Sequence, residues 1–117
     1  MGLAAVSING KHGFIDREGT VVIGPGFDWA GSFSEDLALV RVDEKYGYIN
    51  RKGEFIIEPF FYSASYFSEG LAAVRLNGKY GFINKMGRVV IKPRFDMAYA
   101  FSEGLASICY LPILSEK

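Results

Sequence analysis

Few residues in this chain have the chemistry of catalysis, and they are scattered. There is one histidine, His12, and one cysteine, Cys109. Histidine acid–base or metal chemistry needs an orienting carboxylate or a second ligand. Asp16 follows four positions later, but nothing in the pattern forces the two together. Cys109 sits in the apolar run Ile108-Cys109-Tyr110-Leu111 and reads as a small hydrophobe. A lone cysteine allows neither an intrachain disulfide nor a cysteine-rich zinc site. Three glutamates, Glu35, Glu69 and Glu103, recur at fixed spacing beside Ser34, Ser68 and Ser102. Carboxylates that cooperate in glycoside chemistry stand roughly 5–9 Å apart. Residues a whole module apart are expected to lie farther from one another, so the glutamates read as turn anchors. Asp16, Asn50 and Asn84 offer one or two oxygens per loop, whereas hard cations want six or more. The 14 glycines form no GxGxxG or phosphate loop. No serine, lysine or cysteine has a visible base partner. The reading is a chain with no catalytic residue, no metal ligand and no cofactor.

What remains is a ladder of aromatic residues. Tyr46, Tyr48, Tyr80, Phe82 and Trp29, joined by Tyr62, Tyr66 and Tyr99, could line a surface that recognises peptide or glycan by stacking. Strand aromatics are also packing residues, and that use competes with the first. Such rings act together only if regular elements hold them on one face.

Those elements come from a repeat. Leu3, Leu37, Leu71 and Leu105 are each 34 residues apart, and residues 3–36, 37–70 and 71–104 are three versions of one unit. Hydrophobicity within a unit has a period of two. Ala72, Val74 and Leu76 share one side of a first strand, and residues 79–84 make a second. In the third, Val89, Ile91 and Phe95 alternate with Arg88, Lys92 and Arg94, as Val21, Ile23 and Phe27 or Phe55, Ile57 and Phe61 do upstream. Asn9-Gly10 and Asn77-Gly78 predict two-residue type I′ hairpins. Asp43-Glu44 fits that turn poorly, which points to a different one there. Asp16, Asn50 and Asn84, each followed three residues on by glycine, predict Asx-type turns into the third strand.

Pro25, Pro59 and Pro93 sit near the ends of the third strands, where pairing is expected to fray. A connector follows, such as residues 96–101, which Asp96 could cap as a single helical turn. Phe33, Phe67 and Phe101 read as core plugs that close it. A three-stranded meander cannot cover its own apolar face, so each unit must borrow a layer from the next. Tetratricopeptide repeats share the 34-residue period but are helical, and glycines inside every would-be helix exclude them.

Bulk properties narrow the functional classes. The chain has 117 residues, enough for one domain with a modest core. Half are hydrophobic and 15% aromatic, which excludes a disordered tail. Thirteen basic residues balance thirteen acidic ones, which argues against a nucleic-acid surface. Arg88 and Lys92 stand where Glu54 and Glu58 do one repeat earlier, and with Arg94 they read as a solvated strand face. No window approaches 18 apolar residues, so no membrane span is expected. The opening MGLAAV lacks the pattern of a signal peptide, so a cytoplasmic location is expected, for a whole protein or a slice of a longer one.

The motifs Gly2-Leu3-Ala4-Ala5-Val6, Asn77-Gly78-Lys79-Tyr80-Gly81-Phe82-Ile83, Gly87-Arg88-Val89-Val90-Ile91-Lys92-Pro93 and Phe101-Ser102-Glu103-Gly104-Leu105 recur across the copies. With them the chain resembles the WG-repeat (KWG-repeat) family of bacterial proteins over residues 2–108. The family's Trp-Gly positions read His12-Gly13, Tyr46-Gly47 and Tyr80-Gly81 here, so no copy has the tryptophan. A flat ring packed over the neighbouring glycine survives that change. The resemblance supplies no catalytic residue.

The expected fold is therefore all-β: residues 1–117 as one domain of three 34-residue antiparallel meanders, with a partial capping repeat over 105–117. The array is an open solenoid-like or propeller-blade-like stack, and three blades are too few to close a propeller. The expected role is a non-catalytic repeat module for protein or ligand binding or scaffolding, with a protein, self or other, as the expected partner. The alternatives are a self-assembly module, for example a homodimer through open edge strands, and an accessory domain of an enzyme or cell-envelope protein.

Overall fold

In the computed structural model, which describes residues 2–110, every regular element is a strand. They are β1 (Ala4–Ile8), β2 (Lys11–Ile15), β3 (Val21–Phe27), β4 (Trp29–Ser34), β5 (Leu37–Val42) and β6 (Lys45–Ile49). There follow β7 (Phe55–Phe61), β8 (Ala72–Leu76), β9 (Lys79–Ile83), β10 (Val89–Phe95), β11 (Met97–Ser102) and β12 (Leu105–Cys109).

Turn chemistry sets the register. Asn9 and Gly10 have φ of 52° and 85°, and Asn77 and Gly78 have 50° and 83°. Asp43 and Glu44 adopt the same left-handed pair, 50° and 70°, so the expectation of a different turn there is corrected. The Asp43 N–H donates to Asp28 Oδ2 (2.8 Å), which holds the turn despite its poorer residues. The second turn follows the Asx pattern in all three copies. Asp16 Oδ1 accepts from the N–H groups of Glu18 and Thr20, Asn50 Oδ1 from Lys52 and Glu54, and Asn84 Oδ1 from Met86 and Arg88.

The third strands depart from simple alternation. Val21 pairs with Ile15 while Ile23 pairs with Phe14, so one extra residue bulges between them and reverses the face. Val21, Phe55 and Val89 therefore point opposite to Ile23, Ile57 and Ile91, which corrects the expectation of one shared face. A second bulge carries Pro25. Pairing resumes beyond it at Phe27, so the strand does not fray at the proline. This bulge explains the glycine of each His-Gly or Tyr-Gly pair. A Cβ on Gly13, Gly47 or Gly81 would lie 2.5–2.6 Å from the carbonyl oxygen of Ile23, Ile57 or Ile91. What the glycine admits is bulged backbone, not an aromatic ring.

The connector is not a helical turn. In two of its three copies it is a strand, β4 or β11, hydrogen-bonded to the first strand of the following unit. The structural layer is thus connector plus meander, ordered β4-β5-β6-β7. In the copy at residues 62–68 only isolated bridges form, Ala64 with Val74 and Ser68 with Leu71.

Four layers stack in chain order, as the sheets β1-β2-β3, β4-β5-β6-β7, β8-β9-β10 and β11-β12, and three cores lie between them. Phe14, Ile23 and Phe27 of layer one meet Ala38, Val40 and Ile49 of layer two. Leu39, Tyr48, Ile57 and Phe61 meet Phe67, Ala72, Val74 and Ile83 of layer three. Ala73, Phe82 and Phe95 meet Ala98, Phe101 and Ala106 of layer four. Each interface carries an edge-to-face ring pair: Phe14–Phe33 at 5.0 Å, Tyr48–Phe67 at 4.7 Å and Phe82–Phe101 at 5.0 Å. The three phenylalanines that close the connectors are these plugs.

The molecule measures 59 × 29 × 19 Å. Seven-residue strands span only about 23 Å and four paired strands less than 20 Å, so the long axis is the stacking axis. The array is open. Within the proposed cap, residues 105–109 form β12 against β11; residues 111–117 lie outside the described part.

Candidate functional site

The connectors occupy one flank of the stack, each at the outer edge of its layer, and between successive connectors the surface opens into cavities. The first, about 510 Å³, is bounded by Trp29, Gly31, Phe33 and Ser34 on β4, Leu39 on β5, and Tyr66 of the next connector. The second, about 340 Å³, lies one layer on, between residues 63–66 and residues 97–100, with Ala73 and Tyr80 at its floor. Tyr66 lines both, so they form one interrupted groove. No charged side chain lines either cavity.

Local sequence explains the aromatic character. The Trp29 indole folds back over its own strand, and a Cβ on Gly31 would stand 2.8 Å from the ring. Its edge meets Tyr46, with centroids 6.2 Å apart. Trp29 is 37% exposed, Tyr66 55% and Tyr99 53%, so the groove presents aromatic side chains to solvent. Polar groups are few. Tyr80 Oη and Ser63 Oγ share a hydrogen bond of 2.6 Å, and Ser65 Oγ accepts from the Ala73 N–H (2.9 Å).

The middle connector is irregular but keeps backbone bonds to β8, from Ser65 N–H to the Ala73 carbonyl (2.8 Å) and from Arg75 N–H to the Ser63 carbonyl (3.0 Å), and side chains add to them. Tyr48, standing where Phe14 and Phe82 stand in the other layers, donates its hydroxyl to the Ser65 carbonyl at 2.6 Å. Burial pushes that phenol far above its ordinary pKa, so it stays a neutral donor. This also corrects the aromatic surface expected from sequence. Tyr48 and Phe82 are 0% and 1% exposed and belong to interlayer cores. Trp29 and Tyr80 do line the groove, and Tyr46 supports Trp29. Tyr62 instead lies beneath Lys45 Nζ, 5.5 Å from the ring centroid. In the flanking units an aspartate holds the position of Tyr62, and Asp28 pairs with Lys11 at 2.7 Å.

The recurrent Ser-Glu turns serve the stack. Ser34 Oγ donates to the Phe67 carbonyl (2.7 Å) and Ser68 Oγ to that of Phe101 (2.6 Å). The Glu35 carboxylate accepts from the N–H groups of Glu69 (2.6 Å) and Gly70 (2.9 Å), and Glu69 accepts from Gly104 (2.8 Å). Each glutamate thus reaches the next turn rather than anchoring its own, and turns one repeat apart are neighbours. Partial desolvation pushes Glu35 up, but the two N–H donors and Lys85 together hold it below the usual carboxylate range. His12 and Asp16 are not partnered: Asp16 caps its turn, and the buried His12 Nδ1 has no hydrogen-bond partner. Among the described residues, no group of three or more His, Cys, Asp or Glu is placed to hold a metal ion.

Compared with known families, the chain matches the model described as WG containing repeat three times in tandem, at residues 13–46, 46–80 and 80–110. No curated protein and no solved structure matches it.

Proposed function

Since the chain belongs to the WG-repeat family, we propose that it is a non-catalytic binding module whose connector flank takes an extended, uncharged stretch of a partner protein. The observation that carries this reading is the groove itself, two aromatic cavities in successive layers joined at Tyr66. Ring faces bind apolar and amide surface by stacking, and a lining without charge suits a segment without charge. The outer edges of β4 and β11 face the same flank, and an edge strand offers backbone donors and acceptors to an extended peptide. The layered array makes such a surface long, as stacked repeats do in general.

Trp29 is the only tryptophan, so it reports on the groove directly. Peptides selected from a displayed library on the intact chain should shift its fluorescence on titration. Tyr66→Ala should weaken the selected peptides by about tenfold, the effect of losing one good contact. Tyr62→Ala, on a ring outside both linings, should leave binding unchanged. Selected peptides that bind the Tyr66 variant as tightly as the parent would overturn the reading.

A further inference from the structure

We infer that two copies of this chain pair side by side through the flank opposite the connectors, about a two-fold axis that runs along the strands between layers two and three. That flank is made by the third strands, since β3, β7 and β10 are each the edge of their sheet. In layers two and three its exposed residues fall into equivalent pairs 34 positions apart: Glu54 and Arg88, Ile56 and Val90, Glu58 and Lys92, Phe60 and Arg94. The apolar members are open to solvent, Ile56 at 47%, Val90 at 53% and Phe60 at 62%. One layer thus presents two acids, an aliphatic residue and a ring where the next presents two bases, an aliphatic residue and a guanidinium. Neither sign is answered within the chain. The side chains of Glu58, Arg88 and Lys92 have no hydrogen-bond or ion-pair partner among the described residues, and Glu54 meets only Asn50 of its own turn.

The stacking fixes how these pairs can meet. A Cβ on Gly53 would stand 3.2 Å from Ile23, and one on Gly87 3.4 Å from Ile57, so each third strand starts over the third strand of the preceding layer. The Ser-Glu turns one repeat apart are neighbours as well. β7 and β10 therefore run the same way, and rotation about an axis parallel to them sets β7 of one copy beside β10 of the other with equivalent positions opposite. Glu54 then faces the second copy's Arg88, Glu58 its Lys92 and Ile56 its Val90, while Phe60 meets the Arg94 guanidinium. Symmetry makes each contact twice, as an isologous interface requires. Charges on an edge strand ordinarily keep copies apart, and one sign on every layer would do that. Opposite signs on successive layers instead select one register, and reject layer two against its own image, where acid meets acid. Pro59, Pro93 and the bulges interrupt the backbone edge, so the contact is made by side chains. A patch two layers deep and about 23 Å long belongs with weak, reversible interfaces. The connectors lie across the sheet, so the groove stays open in the dimer.

Sedimentation over a concentration series from about 1 μM to about 1 mM tests this. The parent chain should pass from monomer to dimer and stop there, with a dissociation constant that rises as salt is added. Glu58→Lys sets lysine against lysine, and Lys92→Glu sets acid against acid. Each alone should weaken the dimer by at least about tenfold. Mixed in equal amounts, the two variants should pair with each other about as well as the parent does with itself. The chain carrying both changes should dimerise like the parent. Both side chains are exposed, so the fold should be kept, and circular dichroism verifies it. A parent that stays monomeric over the whole range would overturn the proposal. So would growth beyond a dimer, single variants that dimerise like the parent, or failure of either the mixture or the double variant to recover.

Discussion

Glu35 holds two backbone N–H groups of the next layer while keeping a left-handed backbone itself, at φ 54°. Lys85 Nζ lies 3.5 Å from the same carboxylate. The charged form is the one the fold stabilises, and its pKa lies below the ordinary value of 4.5. The linkage follows from that sign. As pH falls, the unfolded chain takes up the proton first, so the stabilisation is whole above about pH 4.5 and is lost as pH falls through the folded value. Glu35→Gln should cost about 1 kcal/mol at neutral pH, a modest figure because the carboxylate is partly exposed. The variant should also lose less stability between neutral pH and pH 3 than the parent does. Urea unfolding at a series of pH values measures both. Equal acid sensitivity in the two proteins would show that the ladder contributes nothing. The sequence displayed the spacing of Glu35, Glu69 and Glu103, but spacing alone assigned each to its own turn. Contact between turns 34 residues apart is a property of stacking, and no local pattern reports it.

At the level of elements, hairpins were the most legible because left-handed φ restricts which residues fit. Asn9-Gly10 and Asn77-Gly78 announced themselves; Asp43-Glu44 did not, yet it folds alike because the flanking strands dictate the turn. A non-glycine residue held left-handed costs about 1–2 kcal/mol, and Glu44 sits at φ 70° where the other copies have glycine. Glu44→Gly should therefore stabilise the protein by about 1 kcal/mol, less the added entropy of the unfolded chain. Thermal melting should show a rise of about 4–8 °C for a chain of this size; a fall would mean that the Glu44 side chain makes a contact that matters. The connector strands were illegible for a different reason. In β4 the inward residues are Ala30 and Phe33, three apart across a bulge, so the period of two disappears just where the strand runs. The same interruption hid the change of face between Val21 and Ile23. The groove inherits this: Trp29 and Tyr80 were visible as candidates, but Tyr66 became the shared wall only once its connector was placed. Tyr48 and Phe82 looked equally available, because alternation cannot separate a face covered by the next layer from one left to solvent.

The whole molecule behaves as a one-dimensional pile. Layers touch only their neighbours, and β5 is buried from Leu37 to Val40 because both of its faces meet another layer. Stability in such an array is the sum of each layer's own term and the terms for its interfaces. The 34-residue register is unbroken, so a second copy of residues 37–70 inserted after residue 70 would present Leu39, Tyr48, Ile57 and Phe61 to a face it already fits. The rings of Tyr48 and Phe67 would meet once more in the new interface. The extended chain should lengthen along the stacking axis by about 10 Å, the face-to-face distance of packed sheets. Its urea m-value should rise roughly in proportion to the added surface, with one cooperative transition and a higher midpoint. Small-angle scattering and urea unfolding read these quantities independently. An unchanged maximum dimension, or a second transition at lower urea, would mean that the inserted unit does not join the pile and that the interfaces depend on more than the repeated residues.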